Sequence, residues 1–324
     1  MLMPAEAEHY VRSLIAYELS DVGSTQWLDQ HECIEQLNKT AHQQAKDGTD
    51  EFVMEFFNIE DKINVVISNL ITVELWKDKV FPFLQEKIAS MSCLRNYLPL
   101  YHEASLVNLI EILMYHESIA LTCCDRLVDL VDYCYRKLTY LIQRKNKDLW
   151  PQLANQEELL TQTDLDLLMQ QKIECEFHVA TSCISVLQSL TQHRKSLPLT
   201  ITTRMIDSQD ILLTLVPLME KAPWIRKTKA GVLQKFEEHE WIPIAEDEHT
   251  KLPLLQGTLW LAIYNLVMDS DFQARYEMSS VRRANLLRLR RFLHELVFDQ
   301  IPPLADLLRA LENLSLHGTN SSCK

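Results

Sequence analysis

Two Glu-x-x-His pairs, Glu6/His9 and Glu246/His249, have the spacing with which helical bundles hold paired iron or manganese ions. Such sites need two further glutamates on inward-facing helices. One pair here opens the chain and the other sits in the charged stretch 245–251, so both read as solvated side chains. His102-Glu103 and His116-Glu117 set an imidazole beside a carboxylate, but successive residues on a helix point about 100° apart. They are not preassembled acid-base pairs, and core or capping roles suit these histidines better. No Gly-x-Gly-x-x-Gly, Walker loop, Gly-x-Ser-x-Gly or His-Glu-x-x-His occurs, and no Cys-x-x-Cys offers a zinc framework. The eight cysteines fall mostly in apolar helical runs (Cys123, Cys124, Cys134, Cys175, Cys183), where a thiol packs as a small hydrophobe. The expectation is a reduced, cytoplasmic, non-enzymatic chain with no catalytic residue, cofactor or metal ion.

One charge run stands apart. Arg282, Arg283, Arg288, Arg290 and Arg291 occupy ten residues without an acid, in a chain of net charge -13. Leu286, Leu287, Leu289, Phe292 and Leu293 interleave with them, which describes an amphipathic basic helix. It is either a docking surface for an acidic partner or membrane phosphates, or a solvated face paired with acids such as Glu237, Glu238 and Glu240. The overall negative charge argues against nucleic acid as the main partner. The longest uncharged apolar run, 252–268, is broken by Pro253, Gln256, Gly257 and Asn265. It falls short of the roughly 20 residues that span a membrane, so no transmembrane segment is expected. Residues 1–10 lack the basic and apolar regions of a secretory signal.

The elements that carry these residues are helices. The chain has 5 glycines in 324 residues, where average usage would give roughly 20. Phosphate-cradling loops and tight hairpins need glycine at positive φ, so nucleotide-binding α/β folds and β-sandwiches are disfavoured. Apolar residues recur at three and four in successive segments: Val65–Trp76, Leu106–Leu113, Leu127–Leu141, Ile173–Leu190, Ile211–Met219, Leu286–Leu296 and Leu304–Leu311. Trp76 and Trp260 lie on strongly apolar faces and are expected core anchors. Ser24, Asp210 and Ser280 stand where N-caps belong. Residues 232–244 differ in texture: Phe236 and Trp241 flank an acidic stretch and Pro243 blocks a helix, which suggests a short hairpin or irregular insertion. The polar stretch 147–162 reads as a linker between helical halves at 1–146 and 163–316, with a disordered tail at 317–324.

The dipeptide Asn-Leu recurs within apolar helices at Asn69, Asn108, Asn265 and Asn313, separated by 39, 157 and 48 residues. The second spacing is near four times 39, and armadillo and HEAT repeats run at roughly 40–47 residues. The fold class expected is therefore all-α, an armadillo/HEAT-like helical repeat solenoid. Stacked in register, the four asparagines would line a concave groove and pair with the backbone of an extended peptide.

Several runs resemble the N-terminal region of the zinc finger MYND domain-containing protein 10 family, ciliary dynein-arm assembly factors. The most specific are Val73-Glu-Leu-Trp-Lys-Asp-Lys-Val-Phe-Pro82 and Asp129-Leu-Val-Asp-Tyr-Cys134 with Arg136-Lys-Leu-Thr139. His102-Glu-Ala-Ser105, Leu233-Gln-Lys-Phe-Glu237, Gln273-Ala-Arg-Tyr276, Leu287-Arg-Leu-Arg290 and Asp299-Gln-Ile-Pro302 follow in order, from about residue 4 to about 316. Members of that family end in a zinc finger of clustered Cys and His, whereas Cys323 is the one cysteine here beyond residue 183. A truncation, a partial gene model or a form without the finger is expected, and zinc binding is not carried over. The resemblance implies a cytoplasmic scaffold, near centriolar satellites at the ciliary base. Its implied partners are axonemal dynein chains, heat-shock chaperones, an immunophilin co-chaperone and a leucine-rich-repeat dynein assembly factor. The contrasting readings are a membrane-surface or peptide-binding adaptor unrelated to cilia and a helical metalloenzyme.

Overall fold

The computed structural model describes residues 2–90, 97–150, 162–237, 239–245, 248 and 250–319. The first half holds α1 (Pro4–Ser13), α2 (Thr25–Asp47), α3 (Phe52–Glu60), α4 (Ile63–Lys79), α5 (Phe81–Ser90), α6 (Leu98–Met114), α7 (Glu117–Thr122), α8 (Cys124–Gln143) and α9 (Asn146–Leu149). Then come α10 (Asp164–His193), α11 (Leu199–Thr203), which runs into a π turn at Arg204–Ser208, and α12 (Ile211–Lys221). After three strands follow α13 (Leu254–Val267), α14 (Ser270–Arg275), α15 (Ser280–Leu287), α16 (Glu295–Gln300) and α17 (Leu304–Thr319).

Local chemistry sets several boundaries. Ser24 Oγ accepts from the Trp27 N–H at 3.3 Å to open α2, and Gly48 at φ 62° closes it. Thr163 and Asp166 form a reciprocal box at the start of α10. Asp210 caps α12 as expected, but α15 is capped by Ser279, whose side chain accepts from Arg282 N–H at 3.2 Å, and not by Ser280. The single helix expected over 286–296 is also corrected. A 3₁₀ turn at Arg288–Phe292 and an extended Leu293 separate α15 from α16. Side chains three apart eclipse in a 3₁₀ helix, so Leu286 and Leu289 still face the core together.

The helices sort into two rows. α2, α6, α10, α13 and α17 pack side by side in one, and α4, α8, α12 and α15 in the other. The rows meet where α4 packs on α6, α8 on α10, α12 on α13 and α15 on α17. One contiguous apolar cluster runs through them from Leu2 to Leu311, and a smaller one around Trp76, Phe81 and Leu100 lies under α5. The fold is all-α with one small sheet. The helices of the two rows range from α10 at 30 residues to α15 at 8, so the rows do not repeat one unit of fixed size. The linker expected at 147–162 falls mostly outside the described residues. Of the disordered tail expected at 317–324, the first three residues instead continue α17, the rest lying outside the described residues.

The insertion near 232–244 is a three-stranded antiparallel sheet, β1 (Ile225–Lys227), β2 (Leu233–Glu237) and β3 (Glu240–Pro243), in that order. It begins earlier than the sequence indicated because β1 pairs Ile225 with Lys235. Phe236 and Trp241 are cross-strand partners and meet Phe177 of α10 at ring distances of 5.0 and 5.6 Å. Trp150 closes this aromatic cluster against Trp241 at 5.0 Å.

Trp76 and Trp260 are both buried, Trp260 completely. Trp260→Ala should lower the unfolding free energy by about 3–5 kcal/mol in urea titration, the range for truncating a buried tryptophan; an unchanged midpoint would place this residue outside the core.

Candidate functional site

The most unusual chemistry lies in the first half of the stack, where four helices each contribute one charge to a closed ring. Lys77 of α4 reaches Glu103 of α6 at 2.5 Å and Glu176 of α10 at 2.7 Å. Lys137 of α8 reaches the same two carboxylates at 2.7 and 3.3 Å. Tyr133 donates its hydroxyl to Glu103 Oε1 at 2.7 Å. The Lys77 side chain is 3% exposed and that of Glu103 is fully buried. Arg136 and Glu74 pair at the outer edge, the Arg136 Nε lying 3.1 Å from the carboxylate.

Each ring member sits on an otherwise apolar stripe. Glu103 lies three residues from both Leu100 and Leu106, and Lys137 three after Cys134 and four before Leu141. The stripes therefore carry the charges inward, where only other charges can meet them. Burial opposes ionisation of all four groups, but the opposite charges outweigh it. Glu103 and Glu176 are held below the usual carboxylate range by Lys77 and Lys137, and both lysines are raised by the carboxylates. A lysine so held has no free lone pair, and a carboxylate so held carries no proton to donate near neutral pH. The ring's chemistry is the cross-linking of four helices.

A groove of about 500 Å³ opens beside the ring, lined by Glu74, Arg136, Lys172 and the ring's solvent edge. Lys172 lies over the Phe81 ring at 5.0 Å, and burial lowers its pKa.

A second buried polar pair adjoins the ring through the His102-Glu103 dipeptide. His102 turns away from Glu103 and meets His31 of α2, with Nδ1 atoms 2.9 Å apart and Trp27 packed against both rings. Burial lowers the pKa of both imidazoles. His116 is engaged elsewhere, at 2.9 Å from Glu51. Of the Glu-x-x-His pairs, Glu6 accepts from the Met3 N–H at 3.0 Å and His9 is exposed, while Glu246 and His249 lie outside the described residues. Among the described residues no group of three or more His, Cys, Asp or Glu side chains is placed to hold a metal ion. Cys123, Cys134, Cys175 and Cys183 are buried, and burial pushes the Cys175 thiol up to about 12.

The asparagine groove is corrected. Asn69 lies on α4 in one row, while Asn108, Asn265 and Asn313 lie on α6, α13 and α17 in the other. Asn69 is 3% exposed and clasps the chain before α2, accepting from the Tyr17 N–H and donating to the Ile15 carbonyl, both at 2.9 Å. Asn108 Oδ1 accepts from Ser182 at 3.3 Å and Asn265 Nδ2 donates to Thr191 at 3.3 Å, so both staple their helices to α10. Asn313 is exposed, beside an apolar groove of about 430 Å³ between α14 and α17. Three of the four amides are satisfied within the fold, so no open ladder faces solvent.

Three of the five arginines are paired within the fold, at opposite ends of α12 and with acids other than those expected. Arg282 pairs with Asp210 at 2.7 Å and stacks on Tyr276, whereas Arg288 and Arg291 share Glu220. Arg283 is half-buried with its Nε unpaired, and Arg290 is exposed.

Fold and site together define a two-row stack of helices locked by buried polar clusters. No protein-family model matches the chain, and no solved structure matches it. It is 30% identical over 322 residues to the zinc finger MYND domain-containing protein 10 homolog of Drosophila melanogaster, covering 98% of this chain and 70% of that protein. The chain belongs to the zinc finger MYND domain-containing protein 10 family. The charge ring was missed by motif searching, although Lys77, Glu103 and Lys137 lie inside the runs that carry the family resemblance. The legible signal was charge on an apolar stripe.

Glu103→Ala would leave two buried ammonium groups short of a carboxylate and should cost about 3–5 kcal/mol of stability in urea unfolding. The depressed carboxylates contribute above the ordinary value of 4.5, and that contribution is lost as pH falls through their lowered folded values. The raised lysines contribute below 10.5, so the ring itself adds no pH dependence between these limits. Between them, alongside His178, whose pKa burial lowers to about 4, the histidine pair contributes to the slope. Its rings take up protons more readily when unfolded, so stability rises with pH up to 6.5 and falls below it. In His102→Leu that acid-side slope should become shallower in thermal melts; an identical slope would assign it elsewhere.

Proposed function

We propose that the chain is a non-enzymatic scaffold, a co-chaperone adaptor for pre-assembly of axonemal dynein arms in motile cilium biogenesis. The observation that carries this reading is the likeness to the Drosophila family member along nearly the whole chain, 98% of its length. The two-row stack supports it, because helices arrayed side by side expose long continuous faces while their polar clusters hold those faces rigid. In this reading the stack is an armadillo/HEAT-like platform on which client and chaperone meet. The partners are axonemal dynein chains, heat-shock chaperones, an immunophilin co-chaperone and a leucine-rich-repeat dynein assembly factor. The work takes place in the cytoplasm, at centriolar satellites near the ciliary base. No described helix is long and apolar enough to cross a membrane, which accords with a protein that meets its clients in the aqueous phase.

Affinity purification of the tagged chain from multiciliated cells, read by quantitative mass spectrometry, is the test. Axonemal dynein chains and chaperones should be enriched over a tag-only control, and cells depleted of the endogenous protein should regain axonemal dynein arms on its return. Enrichment of neither class, with arms assembled normally after depletion, would remove the reading.

A further inference from the structure

Three stretches distant in sequence, 140–145, 217–235 and 278–294, contain 12 of the chain's 32 lysines and arginines and one of its 45 acids. The fold brings part of each, 141–144, 220–225 and 288–291, to the C-terminal end of α12, while Arg282 binds Asp210 at its other end. Lys221 donates to the carbonyls of Leu141 at 2.6 Å and Ile142 at 3.2 Å and to that of Arg144, which wraps the basic end of α8 around the last turn of α12. One residue earlier, Glu220 receives Arg288 and Arg291. The sheet begins four residues after Lys221. Its Ile225 and Leu233 share a groove of about 320 Å³ with Phe292 and His294, which sets the sheet beside the end of the 3₁₀ segment.

The result is an uneven balance of charge. Arg144, Lys145, Lys227, Lys229 and Arg290 are exposed, and none has an ion-pair partner among the described residues. Arg288 and Arg291 share one carboxylate, so Glu220 fixes two guanidinium groups in place while neutralising one charge. Asp148 is the acid beside Lys221. Elsewhere the surface carries the acidic excess of the net -13 chain.

We propose that this surface docks an acidic, aspartate- and glutamate-rich segment of a partner protein. Planar guanidinium groups held in position match carboxylates by paired N–H···O bonds, and their fixation reduces the ordering required on binding. A duplex or an anionic membrane extends well beyond such a patch and meets the repulsive field of the acidic remainder, whereas a short acidic segment fits inside it. Screening over about 8–10 Å leaves the patch distinct from its surroundings at physiological salt. The proposal rests on charge placement and stands independently of the dynein-arm reading.

The test uses the full chain and a fluorescein-labelled peptide of ten glutamates, read by anisotropy at about 50 and about 300 mM NaCl. Binding should weaken with salt. A Lys227→Glu/Lys229→Glu/Arg290→Glu variant should bind about tenfold more weakly with an unchanged melting temperature, because none of the three is ion-paired in the fold. Lys46→Glu, on the distant end of α2, should bind as the parent does. Absence of binding, equal binding by the triple variant, or tighter binding of duplex DNA or phosphatidylserine vesicles than of the peptide would each overturn the proposal.

Discussion

Lys77 and Lys137 are ammonium groups withdrawn from water, and each would weaken the fold substantially if Glu103 and Glu176 were not placed to meet it. Because each lysine touches both carboxylates, the ring closes only when α4, α6, α8 and α10 are all in position. Apolar packing alone permits small slides of one helix along another; a ring of four charges does not, since a shift of an ångström leaves a charge unpaired. Tyr133 completes the shell around Glu103, and the adjoining His102 carries the same polar contact across to α2. Two residues next to one another in sequence thus join the ring and the histidine pair into a single buried seam.

The second half of the stack is held differently. There the contacts between helices are mostly apolar, around Trp260 and the aromatic cluster of Phe177, Phe236 and Trp241. Polar groups act at helix ends: Asp210 caps α12 and binds Tyr276 and Arg282, and Lys221 satisfies the last carbonyls of α8. Apart from the buried Arg194–Asp269 pair, charge in this half lies mostly at the surface, where it is incompletely balanced. The stack is accordingly rigid through internal neutralised charge at one end and presents unneutralised charge at the other.

Much of the architecture was legible in the residues. Scarce glycine, three-and-four periodicity and capping residues pointed to helices, and Phe236, Trp241 and Pro243 marked the place where a sheet interrupts them. The break at 288–293 was not legible, because leucines three apart satisfy an α-helix and a 3₁₀ turn equally. The asparagine spacing misled for a related reason. A period of 39 residues says nothing about which row a helix joins, and the first Asn-Leu pair belongs to the other row.

Sequence by itself determined which groups had to be buried: a charge on an apolar stripe has nowhere else to go once the helix packs, as Glu103 and Lys137 show. It also determined the family, since ordered runs along the chain carry that likeness without reference to shape. Only the tertiary structure decided partners. Glu103 and Glu176, which share both lysines, are 73 positions apart, and the basic stretches join at one end of α12 through contacts between residues 68 and 80 positions apart. Helix periodicity fixes the direction of a side chain relative to its own axis, whereas the pairing of faces follows from how the rows stack.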